Sequence, residues 1–185
     1  MLLTKKEARQ KIIESLIKVK PAEKQQAENS LYCQLFQTRM WHDAAVVAVT
    51  VSQAIEINTE PIIKQAHREN KVVCIPRTLP SWQMEFVELN AQTTLKKTDH
   101  QLLEPVGGNV FSADEINLIV VPGVSYTTDG YRLGFGGGYY DRYLASYAGD
   151  TISLALPEQQ NTEINWPIKQ YDIKIKQILV ATEED

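Results

Sequence analysis

Cysteine is scarce: only 2 stand among the 185 residues, Cys33 and Cys74, and neither belongs to a Cys-x-x-Cys pair or has a spaced histidine partner. That excludes a disulfide framework and a structural zinc site and reads both thiols as reduced, buried, small hydrophobes. Long apolar runs are missing as well. The run 116–121 is interrupted by Asn117, and no run comes near the roughly 20 residues a spanning helix needs. No membrane partner is expected. The opening stretch MLLTKKEARQKIIE puts charges inside every possible apolar region, so no secretory signal is expected and the cytoplasm is the expected compartment. Nor is there an excess of cations, because Lys+Arg 19 against Asp+Glu 23 leaves a net charge of -4 and an isoelectric point near 5.5. No nucleic-acid partner is expected on that balance, and any anion must be held by basic groups and backbone dipoles gathered locally. The 3 histidines, His42, His67 and His100, show no partner spacing and read as exposed or capping groups.

What is present is ordinary globular composition, 43% apolar and 23% charged. A chain of this length buries roughly 70% of its unfolded surface, enough for one substantial core. Residues 1–185 therefore read as one domain, expected to be monomeric. Thr4 followed by Glu7 is a capping box, and Ala8, Ile12, Ile13, Leu16 and Ile17 recur at helical spacing up to a break near Pro21. A second helix starts near Ala22, carries Ala27, Leu31, Leu35 and Phe36 on one face, and ends near Met40 and Trp41. Short apolar segments at 44–51, 71–75, 116–121, 152–156 and 178–182 read as buried strands. Between the first two, TEPIIKQAHREN reads as a crossover helix with Asn58 or Thr59 as cap and Pro61 in its first turn. The alternating segment 82–89 reads as an extra, half-exposed strand, followed by a less regular stretch to about 115. The fold class is α/β, a mostly parallel central sheet flanked by helices on both faces. Ligands of such sheets bind beyond the carboxyl ends of the strands, which draws attention to the loops after Val51, Val121 and Leu156.

One of those loops is unusual. Of 9 glycines, Gly134, Gly136, Gly137 and Gly138 fall together, just before a helix read from Tyr139 to Tyr147. Glycine loses much backbone freedom on ordering, so such a cluster points to positive φ or very close backbone approach. Successive unencumbered N–H groups make an anion-binding concavity, and a helix N-terminus would add about half a positive charge. Arg132 and Arg142 bracket the cluster, and a guanidinium fork suits phosphate oxygens. Asp141 beside a phosphate site is a candidate Mg²⁺ ligand; it reads equally as a first-turn carboxylate paired with an arginine. The sequence contains no GK[ST], and Gly134-x-Gly136 lacks the third glycine of a dinucleotide fingerprint, so neither a Walker A loop nor a Rossmann site is present. Asp129-Gly130 reads as a tight turn without chemistry.

Two further features bear charge where it matters. Lys5 and Arg9 lie four apart on one helix face, with Arg9 toward the apolar stripe, so both face the body of the protein or simply snorkel around it. Glu56 follows the first strand in SQAIEINTE, at the ligand edge of the sheet. A carboxylate there suits the N–H donors of a pterin-like ring; otherwise it is a solvated loop residue or a cap partner of Thr59.

VPGV followed by GYRLGFGGGYYDRYL, together with K-x-x-x-R at Lys5 and Arg9, E-x-x-T at Glu56 and Thr59, IPR at Arg77, LLEP at 102–105 and Tyr171-Asp172, resembles the 5-formyltetrahydrofolate cyclo-ligase family over nearly the whole chain. The resemblance implies ATP-dependent closure of 5-formyltetrahydrofolate to 5,10-methenyltetrahydrofolate through a phosphorylated formyl group, with release of ADP and phosphate, and with Mg²⁺ as cofactor. It implies that Lys5, Arg9, Arg132, Leu133, Gly134, Phe135, Gly136, Gly137, Gly138, Tyr139 and Tyr140 contact ATP, Arg132 and Tyr140 also serving catalysis. Val51 and Glu56, with Phe135 to Tyr139, would contact the folate, and Asp141 and Asp172 would hold the metal. Tyr171 stands where the family commonly has histidine. The alternative is a non-catalytic folate- or nucleotide-binding protein on the same fold.

Overall fold

The computed structural model describes residues 2–98 and 101–182, so His100 lies outside the described residues. Helix α1 (Lys5–Lys18) starts at the expected box: Thr4 Oγ1 accepts from the Glu7 amide at 3.2 Å while Glu7 Oε2 accepts from the Thr4 amide at 2.8 Å. Helix α2 (Pro21–Gln37) has its proline at the first turn. The single second helix read from the sequence is in fact two. Thr38 leaves the helical region and caps a short α3 (Arg39–Asp43), its hydroxyl accepting from the Trp41 amide at 3.1 Å. Threonine satisfies its local backbone this way as readily as it continues a helix.

Strands β1 (Val46–Ala48) and β2 (Val72–Leu79) enclose α4 (Glu60–Arg68), the expected crossover. β2 runs on further than its apolar core suggested because β3 (Gln83–Glu88) folds back antiparallel along it through a tight turn at Pro80–Trp82. The irregular stretch that follows holds β4 (Leu95–Lys97), paired antiparallel with β5 (Leu103–Pro105), and β6 (Val110–Phe111) on the outer side of β3. After β7 (Leu118–Val120), a hairpin of β8 (Ser125–Thr127) and β9 (Arg132–Leu133) turns at Gly130, whose φ is +90°. Helix α5 (Tyr139–Leu144) then leads into β10 (Asp150–Ala155); β11 (Gln160–Asn161) joins β8, and β12 (Gln177–Val180) closes the edge.

The main sheet is seven-stranded, in the order β12-β10-β7-β1-β2-β3-β6. Its first five strands are parallel and the last two antiparallel. Alternation assigns the two faces. Val47, Val49, Leu118 and Val120 pack under α2, α3 and α4 with Leu31, Leu35, Trp41 and Ile62. Ala48, Ile119 and Val121 face Leu144 of α5 and Ile175. Helices thus cover both faces, as the near-continuous apolar strands require. Cys74 is buried in the second layer, whereas Cys33 is exposed on α2, contrary to the expectation for both; its helical position places it away from the stripe carried by Leu31 and Leu35.

From β1 the chain steps one way to β2 and later returns on the other side to β7, so the direction of winding reverses between β1 and β7. A crevice must open there, at the carboxyl ends of the strands. Gln159, 4% exposed, ties that edge together. Its amide donates to the Gly123 carbonyl at 2.9 Å and accepts from the Leu156 amide at 3.0 Å. Gln159→Leu would keep the volume and strand both backbone groups, and a buried unpaired polar group costs about 1–3 kcal/mol. Urea unfolding is expected to show a loss of about 2 kcal/mol or more.

Candidate active site

The loop after β1 is built from α2. Lys24 Nζ donates to the carbonyls of Ala54 at 2.7 Å and Glu56 at 2.6 Å. Glu28 accepts from the Asn58 amide at 2.8 Å and the Tyr32 hydroxyl donates to the Asn58 carbonyl at 2.5 Å. Thr59 precedes α4 as its cap residue, but its hydroxyl turns inward, donating to Thr50 O at 2.6 Å and accepting from the Ser52 amide at 3.1 Å. So fixed, the loop presents Glu56, whose Oε2 accepts from the Gln53 amide at 2.6 Å. Burial pushes its carboxyl pKa up, partly opposed by that amide and by Lys24. Glu56, Thr50 and Thr59 line one side of the crevice; Val121, Gly123 and Tyr126 line the other. Val51 follows Thr50 directly and is half-buried outside this small cavity. The cavity is half open and only about 40 Å³, well below the roughly 300–1,000 Å³ of small-molecule sites, so a ligand would enter it with one end and lie mostly in the open crevice.

The loop after β7 supplies the opposite wall. A Cβ on Gly123 would stand 2.8 Å from Arg132 Cγ and 3.0 Å from the Tyr126 ring, so only glycine lets this chain pass so close to both. The Arg132 side chain is 2% exposed; its Nη2 pairs with Asp141 at 3.0 Å, and its guanidinium lies 5.6 Å from the Tyr140 ring centroid. Among the described residues, Nε and Nη1 of Arg132 are buried without a partner, and so is the Tyr140 hydroxyl. Burial holds the phenols of Tyr126 and Tyr140 well above the usual range, partly opposed by Arg132. Both stay protonated at neutral pH, which makes Tyr140 a hydrogen-bond donor and not a base.

Between these walls and α1 runs the glycine turn. Arg9 Nε donates to the Gly134 carbonyl at 2.6 Å, and a Cβ on Gly136, where φ is +117°, would sit 3.6 Å from its guanidinium carbon. From the other side Arg132 Nη2 lies 3.6 Å from the Cβ position of Gly134, so two guanidinium groups meet at one peptide. Burial lowers the Arg9 pKa and Asp172 raises it back in part. Lys5 Nζ binds both oxygens of Asp172 at 2.6 Å, and Asp172 also accepts from the Lys169 amide at 2.7 Å. Asp141 accepts from the amide of Ile173, the residue after Asp172, at 3.2 Å, which brings Asp141 up to the segment that carries Asp172. Tyr171 is 63% exposed, with Lys5 5.8 Å from its ring centroid.

Lys5, Arg9, Arg132, Leu133, the glycines, Tyr139, Tyr140, Asp141 and Asp172 are thus drawn into one neighbourhood, with Glu56 across the crevice. Phe135 stands at the rim, about half exposed. Arg142 meets the turn from its outer side; it donates to the Gly137 carbonyl at 3.2 Å and rests on Trp82. Helix α5 ends at Leu144, short of Tyr147, and has only 6 residues, so the loop amides and arginines carry the positive field more than a macrodipole does. Tyr126, Gly123, Gln159 and Trp82 escaped the sequence reading. Only Pro122-Gly123 carried a signal, that of a turn directly after a buried strand. Among the described residues no three His, Cys, Asp or Glu side chains gather as a metal cage. Two carboxylates do fit Mg²⁺, which commonly takes one or two from the protein and the remaining oxygens from phosphates and water.

Residues 3–181 match the model of the 5-formyltetrahydrofolate cyclo-ligase family. The chain is 33% identical to the mouse 5-formyltetrahydrofolate cyclo-ligase over 147 residues, covering 72% of this chain and 71% of that one. It is 29% identical to the Haemophilus influenzae enzyme of that name over 161 residues, covering 84% and 86%. In fold it is similar to the 5,10-methenyltetrahydrofolate synthetase of Aquifex aeolicus, with a TM-score of 0.83 at 24% identity over 96% of this chain and 90% of the other. The synthetase of Mycoplasma pneumoniae gives 0.77 at 20% identity over 96% and 98%.

The environment of Glu56 makes a prediction about stability. Because its folded pKa is raised above the unfolded value, folding is favoured while the group is protonated in both states, and that contribution is lost as pH rises through the raised pKa. Removing the charge removes the loss. Glu56→Gln is therefore expected to match the wild type in Tm near pH 4 and to exceed it at pH 7–8, in thermal unfolding followed by circular dichroism.

Proposed function

The chain belongs to the 5-formyltetrahydrofolate cyclo-ligase family, and on that basis we propose how its site turns 5-formyltetrahydrofolate and ATP into 5,10-methenyltetrahydrofolate, ADP and phosphate. The observation that carries the reading is the buried Arg132 guanidinium, paired on one nitrogen with Asp141 and unpaired on two others beside an unpaired Tyr140 hydroxyl. A buried charge with unsatisfied donors is costly unless a ligand completes it. A phosphoryl group in transit, carrying spread negative charge, supplies that completion.

The formyl amide is a poor electrophile, and direct condensation would have to expel water or hydroxide from a resonance-stabilised carbon. In the proposed sequence the formyl oxygen attacks the γ-phosphorus of ATP and ADP leaves. The lone pair of N10 then attacks the formyl carbon, N10 releases its proton, and the C–O bond breaks with departure of phosphate, leaving the cyclic amidinium. No protein nucleophile is needed; positioning and charge stabilisation suffice. Lys5 and Arg9 hold the triphosphate along the glycine turn, whose amides, from Arg132 to Tyr140, wrap it. Nε and Nη1 of Arg132 and the hydroxyl of Tyr140 bind the oxygens of the transferred phosphoryl group. Glu56, ionised, accepts from the pterin N–H groups, while Phe135 to Tyr139 touch the formyl end. Asp141 and Asp172 hold Mg²⁺, which neutralises charge on the phosphate oxygens. The reading carries with it a monomeric, cytoplasmic enzyme of small-molecule substrates.

The direct test incubates purified protein with 5-formyltetrahydrofolate and Mg·ATP and follows the methenyl product by absorbance, with ATP omitted as control. ATP-dependent product is expected; binding of folate without any product would favour a non-catalytic role and defeat the proposal. Arg132→Lys keeps the charge but loses the two free donors, and kcat should fall by roughly 10²–10³. In Asp141→Asn the concentration of Mg²⁺ for half-maximal rate should rise while the KM for folate stays near the wild type, and chelation should stop turnover reversibly. Glu56→Gln should do the reverse, raising the folate KM about tenfold, the range of a hydrogen bond to a charged group.

A further inference from the structure

Trp82 stands at the tip of the β2–β3 hairpin, 55% exposed, with φ at +60° next to Ser81 at +61°. For a bulky aromatic residue this left-handed conformation is a genuine outlier, one that asparagine or glycine would adopt at far lower cost. Its ring is not the main support of α5. That helix is already packed on β3 through Phe86, whose ring centroid lies 5.0 Å from Tyr143 and 6.5 Å from Tyr140. Trp82 touches only the exposed first turn of that helix: it meets Tyr139, the residue directly after the glycine turn, at 5.7 Å between centroids, and carries the Arg142 guanidinium 5.9 Å from its ring centre. Arg142 is exposed and makes no ion pair among the described residues; it is held only to the Gly137 carbonyl.

The glycine turn thus has two flanks of different character. Arg9 stands against Gly134 and Gly136, with the Asp172 of the Lys5–Asp172 pair acting on its charge, the flank where charge gathers for a triphosphate. Trp82, Tyr139 and Arg142 stand against Gly137 and Gly138, with one aromatic platform and one free cation. This second flank stands at the same carboxyl-end edge of the sheet as Glu56, because β2, which leads to Trp82, runs parallel to β1 as its neighbour. Ala48 at the end of β1 is level with Cys74, and β2 runs on to Leu79, roughly 16 Å further along the strand at about 3.3 Å per residue. A folate anchored by its pterin near Glu56 and extended along β2 would bring its second ring and its glutamate toward this tip.

We propose that Trp82 and Tyr139 are the stacking platform for the p-aminobenzoyl ring of the folate, and that Arg142 receives the carboxylate of its glutamate. The assignment rests on the reaction proposed above and deepens it, making this flank the determinant of folate specificity. The adenine ring, the competing aromatic occupant, belongs to the other flank.

Calorimetric titration of 5-formyltetrahydrofolate without ATP, and of ATP without folate, tests this whether or not the protein turns folate over. Trp82→Asn removes the ring but suits the backbone, and Trp82→Tyr keeps a ring. Trp82→Asn should weaken folate binding about three- to tenfold, the range of one aromatic pair. Trp82→Tyr should retain most of it, and ATP binding should change less than twofold in either. Loss confined to ATP, loss of neither ligand, or equal loss in both variants overturns the platform. For Arg142→Ala, the preference for 5-formyltetrahydrofolate over 5-formyltetrahydropteroate, which lacks the glutamate, should shrink about tenfold, the size of a lost charge-assisted contact. An undiminished preference overturns the carboxylate assignment.

Discussion

A guanidinium taken out of water and left with two of its three nitrogens unsatisfied is the constraint around which this molecule is arranged. The Arg132 side chain is almost wholly buried, and its single partner, Asp141, neutralises its charge without filling its donor capacity. Everything nearby follows from making that position tolerable and specific. Gly123 has no side chain because Arg132 and Tyr126 occupy the space one would need. Tyr140 covers the guanidinium with its ring, a cation–π contact that partly replaces water on one face. The β8–β9 hairpin exists as a stiff bracket that presents Arg132 at the start of the glycine turn. Preorganised, incompletely satisfied donors in a dry site are what makes electrostatic catalysis effective, since no solvent has to reorganise when charge develops.

The position of that group is set by topology. Reversal of winding between β1 and β7 leaves two loops facing one another with no helix crossing between them, and both carry chemistry. One is secured by polar contacts from α2, the other by the buried amide of Gln159. Helix α1 then reaches over the turn from the far side, its Lys5 and Arg9 docking on Asp172 and on Gly134. Residues from both ends of the chain and from three loops therefore share one small volume, and cooperative folding of the whole domain is a precondition for assembling it.

Much of this was written in the sequence in readable form. The apolar strands, the crossover helix and the capping box at Thr4 announce themselves by period and by terminal residues, and the density of glycines marks the turn. Other features have no one-dimensional trace. Thr38 divides a helix because its hydroxyl prefers the Trp41 amide, a local competition that periodicity does not register. Asp141 meets the segment that carries Asp172 through the amide of Ile173, and Tyr126 becomes a cavity wall because a two-stranded bracket turns it inward. Trp82 read simply as the first residue of an alternating strand, since its significance lies in a positive φ at a hairpin tip and in a partner more than fifty positions away. Local pattern reports what a segment prefers; which segments meet is decided by packing.

The pairing of Lys5 with Asp172 carries a consequence for the order of events. At rest the ammonium sits on both oxygens of Asp172, one of the two carboxylates proposed above for Mg²⁺, and Arg132 likewise occupies the other, Asp141. The protein is its own counter-ion. A bare dication arriving alone would have to evict two cations and leave them with no anion to turn to, whereas a metal already chelated by a polyphosphate offers each displaced side chain a replacement oxygen in the same step. On the proposed assignment of the two carboxylates to Mg²⁺, such an internal swap of partners would disfavour piecemeal loading, and metal and nucleotide would enter as a single visitor.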